Sequence, residues 1–177
     1  MGNTLPDKLR AIRYFAVFTR GMALLLCYLL SAFVTGPVHA GSRWVGAMLA
    51  AMAALVVLQE PDVRGSIRKG WLRVLGTFIG AMLACLYLTF FPFSVLGLIF
   101  MVYLLDIVCP LLHIPDKGQI AALTLVAVLF VSQAEPDLAP VKNGALRFLE
   151  SAVGAGIGVS AVWLNDLYYQ RRRKRRF

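Results

Sequence analysis

The chain has 177 residues, of which 59% are hydrophobic and only 15% charged, with a formal net charge of +9. A water-soluble domain of this length does not need so much apolar surface, so the composition points to a membrane. The basic residues sit in clumps between apolar runs and are not spread over a solvated face with interleaved aromatics, which argues against nucleic acid as a partner.

Six apolar runs follow in chain order: 17–34, 44–58, 74–91, 94–112, 120–131 and 148–167. A hydrocarbon core of about 30 Å takes about 20 helical residues. Four runs meet that length; 44–58 and 120–131 are short. Lys and Arg set the orientation. With the N-terminus inside and six crossings, fifteen basic residues fall on the cytoplasmic side: Lys8, Arg10, Arg13, Arg20, Arg64, Arg68, Lys69, Arg73, Lys117, Arg171, Arg172, Arg173, Lys174, Arg175 and Arg176. Only Arg43, Lys142 and Arg147 fall outside. If either short run failed to cross, the basic "DVRGSIRKGWLR" or the "RRRKRR" tail would move outside, so both are expected to cross. The expected layout is a cytoplasmic segment 1–16, a membrane domain 17–167 and a basic cytoplasmic tail 168–177, in a bacterial inner membrane with both termini cytoplasmic. "TGPVHAG" after the first run resembles a signal-peptidase site, but the repeat described next needs that first helix.

The chain repeats itself. Gly70, Leu72, Arg73, Leu75, Thr77, Gly80 and Ala81 match Gly144, Leu146, Arg147, Leu149, Ser151, Gly154 and Ala155. Glu60-Pro61-Asp62 matches Glu135-Pro136-Asp137, and Tyr28 to Ser31 matches Tyr103 to Asp106. Each copy covers three helices, about 17–91 and about 94–167. Three is odd, so the second copy is inserted upside down. The expected fold is therefore all-α, with six transmembrane helices as two inverted three-helix repeats. This is an architecture of secondary transporters, with the site near the midplane between the copies. Simple duplication of a packing unit is the plainer alternative.

The stretch "RGSIRKGWLRVLGTFIGAMLA" resembles the signature of the fusaric-acid-resistance-like and aromatic-acid-exporter transporters. In these a basic loop leads to an Arg, then Gly-Thr, then a second Gly, here Arg73, Gly76, Thr77 and Gly80. "RFLESAVGAGIGVSAVWL" is similar to the family's sixth helix. The resemblance covers about residues 20–167 and implies export of aromatic carboxylates and related compounds; a plant branch conducts organic anions. The chain departs from the larger exporters in having one six-helix unit and no soluble domain, which favours a homodimer.

Candidate site residues follow from the pattern. Gly76 with Gly80, and Gly154 with Gly158, give the spacing of small residues that lets membrane helices approach closely. With Thr77 and Ser151 they are expected to pack the third helix on the sixth. Arg73 and Arg147 read as the N-terminal ends of those helices, either as interfacial anchors or as planar forks for a carboxylate. Where the copies differ, acids appear: Ser31 becomes Asp106 and Gly76 becomes Glu150. Asp106 reads as a buried acid and the proton carrier. Glu150 reads as a first-turn residue near the outer surface, paired with Arg147 or coupled to protons. The paired short runs point to the pathway, with Trp44, Gln59, Gln119 and Gln133 as lining; Trp44 reads equally as an interfacial belt residue.

Other chemistry is sparse. Cys27, Cys85 and Cys109 have no metal spacing, His39 and His113 fall in loops, and no hydrolase or phosphate-binding motif occurs. No cofactor and no metal are expected, and the protein does not read as an enzyme. The partners are a small organic anion, the lipid bilayer and a second copy of the chain. The expected function is export of small organic anions, aromatic carboxylates among them, with protons as the candidate drive. The alternatives are a passive organic-anion channel and a non-transporting scaffold.

Overall fold

The computed structural model describes residues 14–37, 41, 43–111 and 118–174. Lys8, Arg10, Arg13, His39, His113, Lys117, Arg175 and Arg176 lie outside them. The described residues form six α-helices and no strand: α1 (Tyr14–Thr35), α2 (Arg43–Leu58), α3 (Val63–Phe90), α4 (Val95–Leu111), α5 (Gln119–Ala134) and α6 (Pro140–Lys174). Each apolar run of the sequence is one helix. Three helices, Tyr14–Thr35, Val63–Phe90 and the Pro140–Arg172 part of α6, are long and apolar enough to cross a membrane. The other three are apolar but only 16, 17 and 16 residues long.

Local chemistry sets the boundaries. Gln59-Glu60-Pro61 ends α2, because Pro cannot continue the hydrogen-bond ladder. Asp62 then caps α3, its carboxylate accepting from Gly65 N at 3.0 Å. Ser94 does the same for α4 through Gly97 N at 3.0 Å. Gly118 enters α5 with φ +80°, a left-handed conformation that suits glycine. Pro140 occupies the first position of α6, where its missing N–H is no loss. Two starts differ from the hydropathy reading. α3 begins at Val63 and α6 at Pro140, well before their apolar runs. Capping and proline chemistry, not hydropathy, sets where a helix begins.

Packing divides into two large clusters and a small one of Val131, Leu138 and Leu146. Ala23, Cys27, Ala50, Ala54, Leu58, Ala161 and Val162 join α1, α2 and α6. Ala81, Ala84, Tyr87, Leu105, Cys109, Leu125, Val128 and Leu129 join α3, α4 and α5. The α1 contribution is a stripe of small residues four apart, Ala23, Cys27, Ser31 and Thr35, which lets its neighbours come close. The two long helices α3 and α6 cross and tie the clusters together. Gly70 meets Ala155 and Val159 across that crossing, and Gly144 meets Ala81 and Cys85.

The other glycines pack elsewhere than the sequence suggested. Gly76 and Gly80 of α3 lie against Ile120, Ala121 and Thr124 of α5. Gly154 and Gly158 of α6 lie against Ala50, Ala53, Ala54 and Val57 of α2. These stripes therefore seat the two short helices rather than joining α3 to α6. The exterior carries large apolar side chains all round, Phe33, Leu96, Phe100, Ile107 and Trp163 among them. Such a surface is unsuited to water and suited to hydrocarbon.

Candidate functional site

α3 and α6 touch through a polar pair. The hydroxyls of Thr77 and Ser151 share a hydrogen bond of 2.9 Å, and both residues are buried. Thr77 Oγ1 also bonds the Arg73 carbonyl one turn back, at 2.8 Å. Beside this pair lies a cavity of about 330 Å³. α2 lines it with Leu49, Met52, Leu55 and Val56, α3 with Arg73 and Thr77, α5 with Leu123 and Thr124, and α6 with Arg147 and Ser151. Its wall is apolar apart from three hydroxyl residues, Thr77, Thr124 and Ser151, and the two arginines. Among the described residues no aromatic ring lines it.

The two arginines are deep. Because α3 and α6 start early, Arg73 and Arg147 are interior residues of their helices and not terminal ones. They are 8% and 1% exposed. A cation is disfavoured at a helix N-terminus, but the dipole acts only over the first turn, and both arginines lie beyond it.

Arg147 is held by two partners on its own helix. Its Nη1 contacts Glu150 Oε2 at 2.8 Å, one turn along the same helix. Its Nε donates to Asn143 Oδ1 at 3.1 Å, one turn back. Asn143 Nδ2 in turn donates to the Val128 carbonyl at 3.1 Å and to Ser132 Oγ at 3.0 Å, both on α5. Glu150 Oε1 accepts from Thr35 Oγ1 of α1 at 2.6 Å. Gly46 of α2 leaves the room: a Cβ there would run into the Glu150 carboxylate. Arg147 Nη2 is buried and has no hydrogen-bond partner among the described residues. Residues of α1, α2, α5 and α6 thus fix one buried ion pair and leave a single donor nitrogen over.

The two acids stand in the opposite places from those the sequence suggested. Glu150 is not a first-turn surface residue; it is fully buried. Asp106 is exposed on the outward face of α4 and does not line the cavity. The reason for the first is again the helix start at Pro140. For the second, α4 turns Leu105 and Cys109 inward, which rotates position 106 away.

The remaining candidates disperse. Trp44 is 66% exposed, with its ring 5.9 Å from that of Tyr28. Gln119 and Gln133 are exposed. Gln59 is exposed too and lines a separate polar recess with Arg20, Glu60, Asn165 and Asp166. The structure brings together Arg73, Arg147, Thr77 and Ser151, with Glu150 behind Arg147. Thr35, Gly46, Asn143 and Thr124 complete the arrangement and were not singled out from sequence. Asn143 carried a signal, since it stands one turn before Arg147 once the helix is known to start at Pro140. Among the described residues no group of His, Cys, Asp and Glu is arranged to hold a metal ion.

Comparison with known proteins gives one family match. The model for "Fusaric acid resistance protein-like" matches residues 22–161, which takes in α2 to α5 entirely and most of α1. No curated protein and no solved structure matches the chain.

Proposed function

Because the chain belongs to the fusaric acid resistance protein-like family, a family of membrane transporters, we propose that it exports small organic anions, aromatic carboxylates among them, through the cavity between α2, α3, α5 and α6. One observation carries the proposal: two buried arginines face a largely aliphatic cavity beside a hydroxyl pair. A guanidinium in a dry wall recognises a carboxylate, and aliphatic side chains accept its hydrocarbon body. The missing aromatic lining means that an aromatic ligand would be held by apolar contact and not by ring stacking.

The alternating-access reading rests on the repeat. One matched pair also meets in space. Thr77 pairs with Ser151, its counterpart. Gly80 lies against α5 as Gly154 lies against α2. Gly76 faces Ile120, whereas Glu150 faces Gly46, a swap of large and small between matched positions. These contacts support two inverted halves hinged at the Thr77–Ser151 crossing, and the clustering of Lys and Arg supports cytoplasmic termini.

For proton coupling, Glu150 is the better candidate, since its carboxylate touches Arg147 and Asp106 does not reach the cavity. Asp106 instead supports a homodimer. An acid on the outward face of an apolar helix is out of place against lipid, at about 2.5–3.5 kcal/mol on the gentlest scale, and a second copy covering α4 would shield it.

The test is efflux of benzoate from proteoliposomes with and without a pH gradient, comparing the native chain with Arg147→Met. Gradient-dependent efflux lost in the variant supports an exporter. Efflux that ignores the gradient makes the protein a passive channel. No flux of benzoate or of aliphatic acids would leave a scaffold and end the proposal.

A further inference from the structure

We propose that Glu150, though it does not line the cavity, sets the charge of the anion the cavity accepts, holding it to singly charged carboxylates. The inference rests on the anion-cavity reading above and names the substrate class for that site. Arg147 forms the boundary: one side faces the cavity and the other meets Glu150. The guanidinium is already shared. Its Nε–H goes to Asn143 and one Nη1–H to Glu150, which leaves Nη2 as the nitrogen without a hydrogen-bond partner among the described residues. A carboxylate in the cavity would bond a guanidinium whose charge is already paired with Glu150.

The field is reduced in the same way. When Glu150 is ionised, a ligand charge against Nη2 also feels its carboxylate on the other side of the same guanidinium. Across about 6 Å a unit charge still changes affinity about tenfold or more in a protein interior. A monoanion feels that repulsion once and a dianion twice. The Glu150 carboxylate is fixed by design of the surroundings. Thr35 holds Oε1, Arg147 holds Oε2, and Gly46 clears the space. On α3 the matching position, three residues beyond Arg73, is Gly76, which brings no carboxylate of its own.

Glu150 acts through Arg147, so it is a positioning and charge-setting residue, and the readout must be a ratio rather than an activity. Affinities for benzoate and isophthalate, which share a ring and differ by one carboxylate, are measured on the full chain in lipid nanodiscs. The native protein is expected to prefer benzoate. Glu150→Gln keeps the shape and removes the charge, and should raise the isophthalate-to-benzoate affinity ratio about tenfold. Glu150→Met is a second neutral replacement, should the first fail to fold, with the same expected shift. Glu150→Asp and Thr35→Val keep the charge and should leave the ratio within about twofold. A neutral variant with an unchanged ratio overturns the inference, as does Thr35→Val shifting it as much as Glu150→Gln. If the native chain binds neither acid, the anion-cavity reading itself has failed.

Discussion

Replacing Gly46 by alanine tests whether the ion pair is as tightly enclosed as the geometry states. An ideal Cβ at Gly46 would overlap Glu150 Oε1, lie 2.5 Å from its Cδ and 2.9 Å from Thr35 Oγ1. The carboxylate cannot retreat without leaving Thr35 or Arg147. Losing a hydrogen bond to a charged group costs about 1.5–3 kcal/mol, and overpacking adds about 1–3 kcal/mol. Alanine returns about 1 kcal/mol of helix propensity over glycine. The net expectation is a loss of about 2–4 kcal/mol, read by reversible unfolding in bicelles. Gly21→Ala and Gly156→Ala serve as controls, since a Cβ at either has no neighbour within 4 Å; both should match or slightly exceed the native stability. Repeating Gly46→Ala in a Glu150→Ala background should abolish its effect, a coupling of about 2 kcal/mol between touching residues. If Gly46→Ala is as stable as the native chain, or loses as much without Glu150, the enclosure is not there.

Further outcomes follow from the same contacts. Arg147→Met strands the buried Glu150 carboxylate and should cost about 3–5 kcal/mol, most of it regained in Arg147→Met/Glu150→Leu while anion binding stays lost. Gly80→Ala and Gly154→Ala push a methyl into the Ala121 and Ala50 carbonyls, which as backbone atoms cannot rotate aside; each should lose about 1–3 kcal/mol in the same unfolding assay. Asp106→Asn, which removes a charge that does not reach the cavity, should leave the pH profile of efflux unaltered; a flattened profile would return the proton role to that acid. Phe15→Ala removes the ring stacked at 3.9 Å on Tyr168 and should weaken the α1–α6 contact by about 1 kcal/mol, seen as earlier proteolysis at the end of α6.

The helices were legible because hydropathy reports apolar length directly, and each run did become one helix. What hydropathy could not report was the polar lead-in of α3 and α6. "VRGSIRKGWLR" and "PVKNGALR" are helical because Asp62 and Pro140 start them, and that moved Arg73, Arg147 and Glu150 from helix ends to helix interiors. The internal match drew attention to Thr77 and Ser151, whose hydroxyls share a hydrogen bond. It could not say which helix each glycine faces, because small residues at a four-residue spacing fit any close neighbour. Asp106 was misjudged for a related reason. Its neighbours on both sides are apolar, and only the packing of Leu105 and Cys109 decides which way the acid turns. Thr35 was invisible, since its role depends on a carboxylate far along the chain.

The length of α6 has a mechanical consequence. Thirty-five residues extend about 52 Å at 1.5 Å per residue, against about 30 Å of hydrocarbon. The same rigid rod carries Arg147 beside the cavity and Gln170 near its far end, where Tyr168 stacks on Phe15. Any tilt of α6 that reshapes the cavity is therefore magnified at the protruding tip, as with a long pointer on a short axle. A spin label at Gln170 paired with one on α1 would make ligand-driven movement visible as a change in distance.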